Sequence, residues 1–141
     1  MKLHILRENA NIPKIATDGS ACADLYCCSN EKVLIQPGQT KFFPLGFATE
    51  FDKSLVALIF ARSGLATKRG INLANGVAVI DSDYRGEWVV ALHNNGVANQ
   101  EIEPGERIAQ MLLINKEVPS FDVVEELTNT DRGTGGFGST G

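Results

Sequence analysis

The chain has 141 residues, which fits one domain, and its 43% hydrophobic and 21% charged residues are ordinary for a globular protein. No apolar run approaches the ~20 residues of a membrane span, and the N-terminus is charged too soon for a signal peptide. We therefore expect a cytoplasmic protein, or a host-cytoplasmic one if viral, without a membrane partner. The net charge of −4 argues against a general nucleic-acid binder, which needs a basic face.

Short runs rich in Val, Ile, Leu and Phe, separated by Gly, Pro, Asn or Asp, predict strands along the chain. The predicted strands are residues 2–7, 32–35, 40–43, 55–61, 87–94, 107–115 and 121–127. Turn signals lie at Pro37-Gly38, Asn95-Gly96 and Pro104-Gly105. One short helix is predicted at 63–68, with a serine capping its first turn. Many short strands with regular turns indicate an all-β barrel, sandwich or jelly-roll-like fold.

The three cysteines do not form a metal-binding or disulfide pattern. Cys27 and Cys28 are adjacent, no Cys-x-x-Cys pair exists, and His4 and His93 lie far apart in the sequence. Zinc-ligand spacing is therefore absent. We expect reduced, structural thiols.

The last ten residues, 132–141, differ from the domain formed by residues 1–131. They contain five glycines and one aromatic residue, Phe137. Such a segment buries too little surface to order itself, so one interpretation is a disordered tail. The alternative is an anion-binding loop, in which glycine N–H groups approach phosphate and Phe137 stacks on a nucleobase. It is not a Walker A loop, because the Gly-Lys-Ser/Thr ending is missing.

Four other segments carry polar groups, and two of them have a functional as well as a structural interpretation. Residues 79–86 hold two carboxylates and a tyrosine. They are either a polar turn or a site in which Asp81, partly buried, acts as a base. Residues 61–66 are an ordinary helix start or an anion site. Residues 105–110 read as the solvent face of a strand, and residues 19–25 as a tight turn with one acid.

Taken in chain order, the five segments resemble the five motifs of the homotrimeric dUTP diphosphatases, over about residues 17–141. Residues 62–66, 80–86, 107–110 and 132–141 match motifs two to five residue for residue. The resemblance implies a distorted jelly-roll or β-clip-like barrel with a C-terminal arm that closes the active site. It also implies a homotrimer with shared active sites and Mg²⁺-dependent hydrolysis of dUTP to dUMP and pyrophosphate, by water attack on the α-phosphorus. This reaction keeps uracil out of DNA and supplies dUMP for thymidylate synthesis.

The resemblance also implies roles for residues near the phosphates. Asp24 would contact the Mg²⁺ ion through water. Arg62, Ser63 and Gly64 would hold the phosphates, and Gln110 would be a further phosphate ligand.

For the nucleoside, the resemblance implies a pocket formed by a β-hairpin over about residues 75–89. Asp81 would orient and activate the attacking water, and Tyr84 would pack on the deoxyribose and exclude a 2′-hydroxyl. The hairpin residues expected around the base are Asn75, Val79, Ile80 and Val89. In the arm, Phe137 would cover the uracil and Gly138 would also contact the substrate. The residues expected on the outer phosphates are Arg132, Ser139 and Thr140.

Three residues depart from the pattern of the family. Cys22 and Ala78 stand where glycine is usual, and Ala61 stands where proline usually precedes Arg-Ser-Gly. None of them removes a reacting group. Ala78 puts the local shape of the hairpin in question, because glycine allows backbone conformations that alanine does not.

Two other functions compete with dUTP hydrolysis. A dCTP deaminase resembles this family but needs a catalytic glutamate on the strand after the hairpin, where Ala91 stands here. A nucleotide sensor that kept the fold without catalysis would not need Asp81. An activity assay distinguishes all three.

Overall fold

The computed structural model describes residues 1–136 and 138, and within them the chain forms twelve strands and one helix. The first six strands are β1 (Lys2–Ile5), β2 (Lys14–Ile15), β3 (Ala23–Tyr26), β4 (Val33–Ile35), β5 (Thr40–Pro44) and β6 (Phe47–Glu50). The others are β7 (Leu55–Ala61), β8 (Ile71–Leu73), β9 (Ala78–Ile80), β10 (Val89–Asn94), β11 (Gln100–Ile102) and β12 (Arg107–Asn115), and the helix is α1 (Ser63–Arg69).

The strands form four sheets, and every pairing in the described part of the chain is antiparallel. The sheet orders are β1-β6, β5-β10-β8, β11-β4 and β2-β3-β12-β7-β9. This confirms the all-β class predicted from the sequence. The sheets stay separate in the described residues, so the barrel is open rather than closed.

The five-stranded sheet brings distant segments of the chain together. Strand β12 lies between β3 and β7, with Gln110 opposite Asp24 on one side and Ala109 opposite Ala61 on the other. Strand β9 extends the sheet beyond β7, with Ala78 opposite Ile59. Ala78 therefore occupies an ordinary strand position, in which alanine replaces glycine without a special backbone conformation.

A core of large apolar side chains lies between the sheets. Trp88, Phe43 and Phe47 are almost completely buried, and the rings of Phe47 and Trp88 lie 5.3 Å apart between centroids. Cys27 and Cys28 are also buried and free, as expected of structural thiols. Burial of each such apolar side chain stabilises the fold by about 1.5–3 kcal/mol.

The predicted helix exists, but the serine cap is wrong. Helix α1 begins at Ser63, and the residue at its N-cap is Arg62, with extended φ and ψ of −83° and 134° and no side-chain capping hydrogen bond. Arg62 instead turns its guanidinium towards Asp24. Within the described residues, no helix is both long and apolar enough to cross a membrane.

The strand predicted at residues 121–127 is wrong for the single chain. The structure has no strand there, and Phe121, Val123 and Leu127 are 87%, 100% and 87% exposed. The segment has the composition of a strand, but it pairs with no sheet edge in the part of the chain that the structure describes. A strand is stable only when its backbone groups pair with a neighbour and its apolar face is covered.

Asn94 is a buried polar residue that joins three parts of the fold. Its side-chain amide donates to the carbonyls of Ile35 (2.9 Å) and Ala98 (2.8 Å), and its Oδ1 accepts from the N–H of Gly96 (2.9 Å). The residue is completely buried. Removing it would leave the carbonyls of Ile35 and Ala98 without this donor, which costs about 1–3 kcal/mol for each group that stays buried and unsatisfied.

We expect Asn94→Ala to lower the free energy of unfolding by roughly 3 kcal/mol, because three hydrogen bonds are lost at a buried position. Urea denaturation measures this loss as a lower midpoint. Asn99→Ala is the matched control, since Asn99 is exposed a few residues away, and it should change stability by less than about 0.5 kcal/mol. Equal stability of the two variants would contradict the role assigned to Asn94.

Candidate active site

A cationic cleft of about 380 Å³ opens at the end of the five-stranded sheet where β3, β7 and β12 meet. Its polar lining includes four of the predicted phosphate-site residues, Asp24, Arg62, Ser63 and Gln110. Arg107 and Cys22 also line it, while Gly64 lies in the first turn of α1 and is exposed. The register of the sheet explains this grouping, because Asp24 and Gln110 are opposite each other and Arg62 follows Ala61.

Asp24 holds two arginines at the mouth of this cleft. Its Oδ1 accepts from Nε of Arg62 at 2.9 Å, and its Oδ2 accepts from a terminal nitrogen of Arg107 at 3.1 Å. The Asp24 side chain is 13% exposed, whereas that of Arg107 is 51% exposed. One carboxylate neutralises only one of the two guanidinium charges, so the group keeps a net positive charge. An acidic chain thus presents a local anion site.

Arg107 is a cleft residue to which the sequence analysis assigned no role. It lies three residues before Gln110, so simple alternation puts the two side chains on opposite faces of β12. The pairing of β12 with β3 shifts register between Arg107 and Ala109. Such a bulge re-aims a side chain, and Ile108 and Ala109 are accordingly both buried. The only sequence signal was the match of 107–110 to a known motif.

Gln110 and Ala61 connect the two strands beside the cleft. The side-chain amide of Gln110 donates to the carbonyl of Ala61 at 3.0 Å. Alanine in place of the usual proline does not affect this contact, because both residues have a backbone carbonyl. Gln110 is half-buried, so its amide oxygen and second N–H are oriented by this contact.

A second cleft of about 190 Å³ lies at the hairpin beyond β9. It is lined by Val79, Ile80, Asp81, Tyr84 and Val89, five residues that the sequence analysis placed around the nucleoside. Three apolar side chains beside one carboxylate suit a flat base and sugar that present a polar group at one end.

One expectation about this hairpin is wrong for the single chain, and the role of Asn75 in the uracil pocket stays a prediction. Asp81 is exposed rather than partly buried, because β9 is the edge strand of its sheet and nothing in the described part of the chain covers it. Asn75 does not line the cleft; it is exposed in the turn between β8 and β9, where its carbonyl accepts from the N–H of Val77 at 2.8 Å.

The ring of Tyr84 is held in place by its own loop. Its hydroxyl donates to the carbonyl of Glu87 at 3.1 Å, and its ring lies directly over Gly86. A Cβ at position 86 would lie 2.6 Å from Cζ of Tyr84, so only glycine leaves room for the ring there. The tyrosine is 45% exposed and faces the hairpin cleft.

The C-terminal arm lies apart from both clefts as far as it is described. Arg132 is exposed, and its Nε donates to the carbonyl of Gly135 at 2.8 Å. Gly138 is exposed, with open space around its α-carbon. The predicted roles of Phe137, Ser139 and Thr140 lie outside the described residues.

The described residues contain no cluster of three or more His, Cys, Asp or Glu side chains that would hold a metal ion unaided. Asp24 is the carboxylate nearest the cationic cleft. Its two oxygens each accept one hydrogen bond from an arginine, and an ionised carboxylate has about four acceptor positions. It therefore keeps lone pairs for water bound to a cation, whose other ligands would come from an anionic substrate.

Comparison with known proteins identifies the family. The sequence pattern of the dUTPase family matches residues 8–141. The chain is 47% identical over 135 residues to the deoxyuridine 5′-triphosphate nucleotidohydrolase of Cronobacter sakazakii, covering 95% of this chain and 89% of that protein. It is 44% identical over 142 residues to the enzyme of the same name from Chromobacterium violaceum, covering 100% of this chain and 95% of that protein.

Solved structures show the same fold. A mutant dUTPase of Staphylococcus bacteriophage 80alpha with dUpNHpp superposes with a TM-score of 0.89 at 23% identity, covering 99% of this chain and 97% of that one. A mutant dUTPase of phage phi11, described with a structural Mg(II) ion, gives 0.81 at 21% identity, covering 91% and 98%. Because the family pattern and the curated relatives span nearly the whole chain, the chain belongs to the dUTPase family.

Proposed function

We propose that the chain hydrolyses dUTP to dUMP and pyrophosphate with Mg²⁺, by attack of water on the α-phosphorus. The observation that carries this proposal is the hairpin cleft, where Asp81 and Tyr84 stand beside Val79, Ile80 and Val89. Membership of the dUTPase family supports it. The reaction would remove dUTP before uracil enters DNA and would provide dUMP for thymidylate synthesis in the cytoplasm.

The cationic cleft binds the triphosphate in this proposal. Arg62 and Arg107 supply charge, and Ser63 and Gln110 supply uncharged donors. Because Asp24 pairs with both arginines, the guanidiniums are oriented before the substrate arrives. Fixed donors around a leaving pyrophosphate cost no reorganisation at the moment of reaction.

The donors of the cationic cleft fit a Mg²⁺ ion that would be bound between the protein and the substrate. Asp24 would contact it through water, and the triphosphate would provide the direct oxygen ligands. When bound, the metal neutralises phosphate charge and stabilises the developing charge on pyrophosphate. The chain's net charge of −4 makes that neutralisation necessary.

At the hairpin, Asp81 accepts a proton from water and orients it, while Tyr84 packs on the deoxyribose. Val79, Ile80 and Val89 surround the base. The ring of Tyr84, fixed over Gly86, leaves no room for a 2′-hydroxyl. Exclusion of a bulkier substrate discriminates better than added attraction to the correct one.

The deaminase alternative lacks its catalytic group. Ala91 lies in β10 opposite Phe42, and a methyl group transfers no proton. The second alternative is a nucleotide sensor without catalytic activity. Turnover of dUTP by the purified chain would exclude it.

We expect Asp81→Asn to lower kcat for dUTP by about 10²–10⁴-fold, the range for loss of a general base. Affinity for a non-hydrolysable dUTP analogue should change much less, since asparagine keeps the shape and some hydrogen bonding. Pyrophosphate release and equilibrium binding measure the two effects. The matched control is Asp83→Asn, which makes the same substitution in the same exposed loop, three positions from Ile80. Normal turnover by Asp81→Asn would reduce Asp81 to a turn residue.

Arg107→Met should raise KM for dUTP by roughly 10- to 150-fold, the effect of losing one charge-assisted hydrogen bond of about 1.5–3 kcal/mol net. Methionine keeps much of the side-chain length but not the charge. Lys53→Met, at an exposed site away from the cleft, removes the same charge as a control. If both variants raise KM equally, a general change in charge explains the effect and Arg107 is not a phosphate ligand.

The two clefts of one chain are too far apart to hold one substrate, which supports active sites shared between subunits. Ile80 is opposite Ala57 on β7, and Asp81 continues away from Arg62. About six strand positions at 3.3 Å separate Asp81 from Arg62, roughly 20 Å. The α-phosphorus cannot be next to Asp81 while its neighbouring phosphates contact Arg62 of the same chain.

We infer a cyclic homotrimer, the assembly that the family resemblance implies. Two surfaces of the single chain support it. The hairpin residues Val79 and Val89 are 58% and 41% exposed, and the apolar residues of segment 121–127 are exposed as well. Apolar surface of this extent suits contact with a second copy. The C-terminal arm would then reach the active site of another subunit.

Mixing inactive variants tests this sharing. Equal amounts of Asp81→Asn and a variant lacking residues 132–141 are unfolded and refolded together. In a three-fold ring every mixed trimer has one site with an intact Asp81 and an intact arm. About a quarter of all sites should therefore be active if assembly is random.

Separately refolded variants are the control and should stay inactive. The mixture must contain trimers of intermediate mass, which native mass spectrometry detects. Silence of such verified mixed trimers would contradict the shared site while leaving the role of Asp81 intact.

A further inference from the structure

The N-terminal segment is joined to the base of the hairpin by a closed ring of hydrogen bonds through Arg7, Gly46 and Glu87. The carbonyl of Gly46 accepts from the backbone N–H of Arg7 at 3.2 Å, and the N–H of Gly46 donates to Oε1 of Glu87 at 3.1 Å. The guanidinium of Arg7 donates to Oε1 and Oε2 of Glu87 at 2.5 and 2.7 Å. The ring thus closes on the residue where it began.

The ion pair within this ring is a two-point contact. Two parallel hydrogen bonds fix both the position and the plane of the carboxylate, which one lysine ammonium would not do. The hydrogen bond from Arg7 holds the pKa of the Glu87 carboxyl below its ordinary range, so Glu87 is charged at neutral pH. Its side chain is 22% exposed, and the pair is less screened than one at the open surface.

The backbone at Gly46 has little freedom to shift. Its φ of 80° lies in the left-handed region. A Cβ there would lie 2.5 Å from Sγ of Cys28 and 2.6 Å from Cβ of Ala10. Gly46 is therefore packed against two other segments. This packing fixes the position of its N–H group, which donates to the carboxylate of Glu87.

Glu87 is also the residue whose carbonyl accepts the hydroxyl of Tyr84, at 3.1 Å. Its side chain is fixed by Arg7 and Gly46, while the N–H of Trp88 donates to Phe47 at 2.9 Å. The peptide that carries the acceptor for Tyr84 is thus held on both sides. The position of the tyrosine ring depends on this peptide and on the empty space over Gly86.

We propose that Arg7 is a positioning residue for sugar selection, acting through Glu87 on Tyr84. Arg7 touches neither cleft, so it does not contact the substrate. It fixes the acceptor that keeps the Tyr84 ring against the position of C2′. This inference rests on the proposed function, in which Tyr84 separates deoxyribose from ribose.

The test compares kcat/KM for dUTP and UTP in Arg7→Met. We expect the dUTP preference to fall about three- to tenfold, the effect of weakening one oriented hydrogen bond. The value of kcat for dUTP should stay within about twofold, because Asp81 and the phosphate ligands are untouched. Arg7→Lys keeps the charge but loses the two-point contact, so it should restore only part of the preference.

Lys2→Met is the matched control. Lys2 forms an ion pair with Glu50 at 2.6 Å between β1 and β6, which also ties down the N-terminus but does not lead to Tyr84. It should leave the dUTP preference unchanged. Thermal unfolding of each variant checks that Arg7→Met is folded.

A double variant distinguishes an effect of Arg7 on the position of Tyr84 from a general loosening of the structure. In a Tyr84→Phe background the hydroxyl is gone, so adding Arg7→Met should change the preference no further. A further drop in that background, or an unchanged preference in Arg7→Met alone, would overturn the inference. The wild-type chain provides the other distinction: if it fails to hydrolyse dUTP, the proposed function itself is wrong.

Discussion

The pairing of β12 with β3 on one side and β7 on the other is the constraint on which both clefts depend. Antiparallel register sets which residues face each other, and here it puts Gln110 opposite Asp24 and next to the end of β7, where Arg62 follows. A slip of one residue would turn these side chains to the other face of the sheet. The buried apolar residues of β7 and β12 hold the register, so the core fixes the geometry of the polar site.

Charge is distributed unevenly for a physical reason. The chain is acidic overall, yet two guanidiniums and one carboxylate meet in the cationic cleft. The carboxylate of Asp24 offsets the repulsion between the guanidinium groups of Arg62 and Arg107. The three side chains together keep one net positive charge, which can attract an anion. In the proposed mechanism, removing this carboxylate would therefore disturb both arginines as well as the water-mediated metal contact. Its structural and its functional roles are inseparable.

Within the described residues, one chain holds the two clefts of the proposed active site at separate places. The hairpin cleft and the cationic cleft lie at different distances along β7, and the apolar segment at 121–127 pairs with no strand among the described residues. Each feature is unfavourable for an isolated chain and useful in a cyclic assembly. The proposed homotrimer accounts for all of them at once, because neighbouring copies cover the exposed apolar surface and complete the site.

The sequence by itself determined the class of fold, the family and the order of the motifs, because strand patterns and motif spacing are local properties. Six of the seven predicted strands have a counterpart, and five residues expected around the nucleoside line one cleft. Only the tertiary structure decided that a bulge aims Arg107 into the cationic cleft, and that Arg7 reaches Glu87 across 80 positions of the chain. Such contacts depend on strand register and on the packing of distant segments. The alternation of apolar and polar residues along the chain determines neither of them.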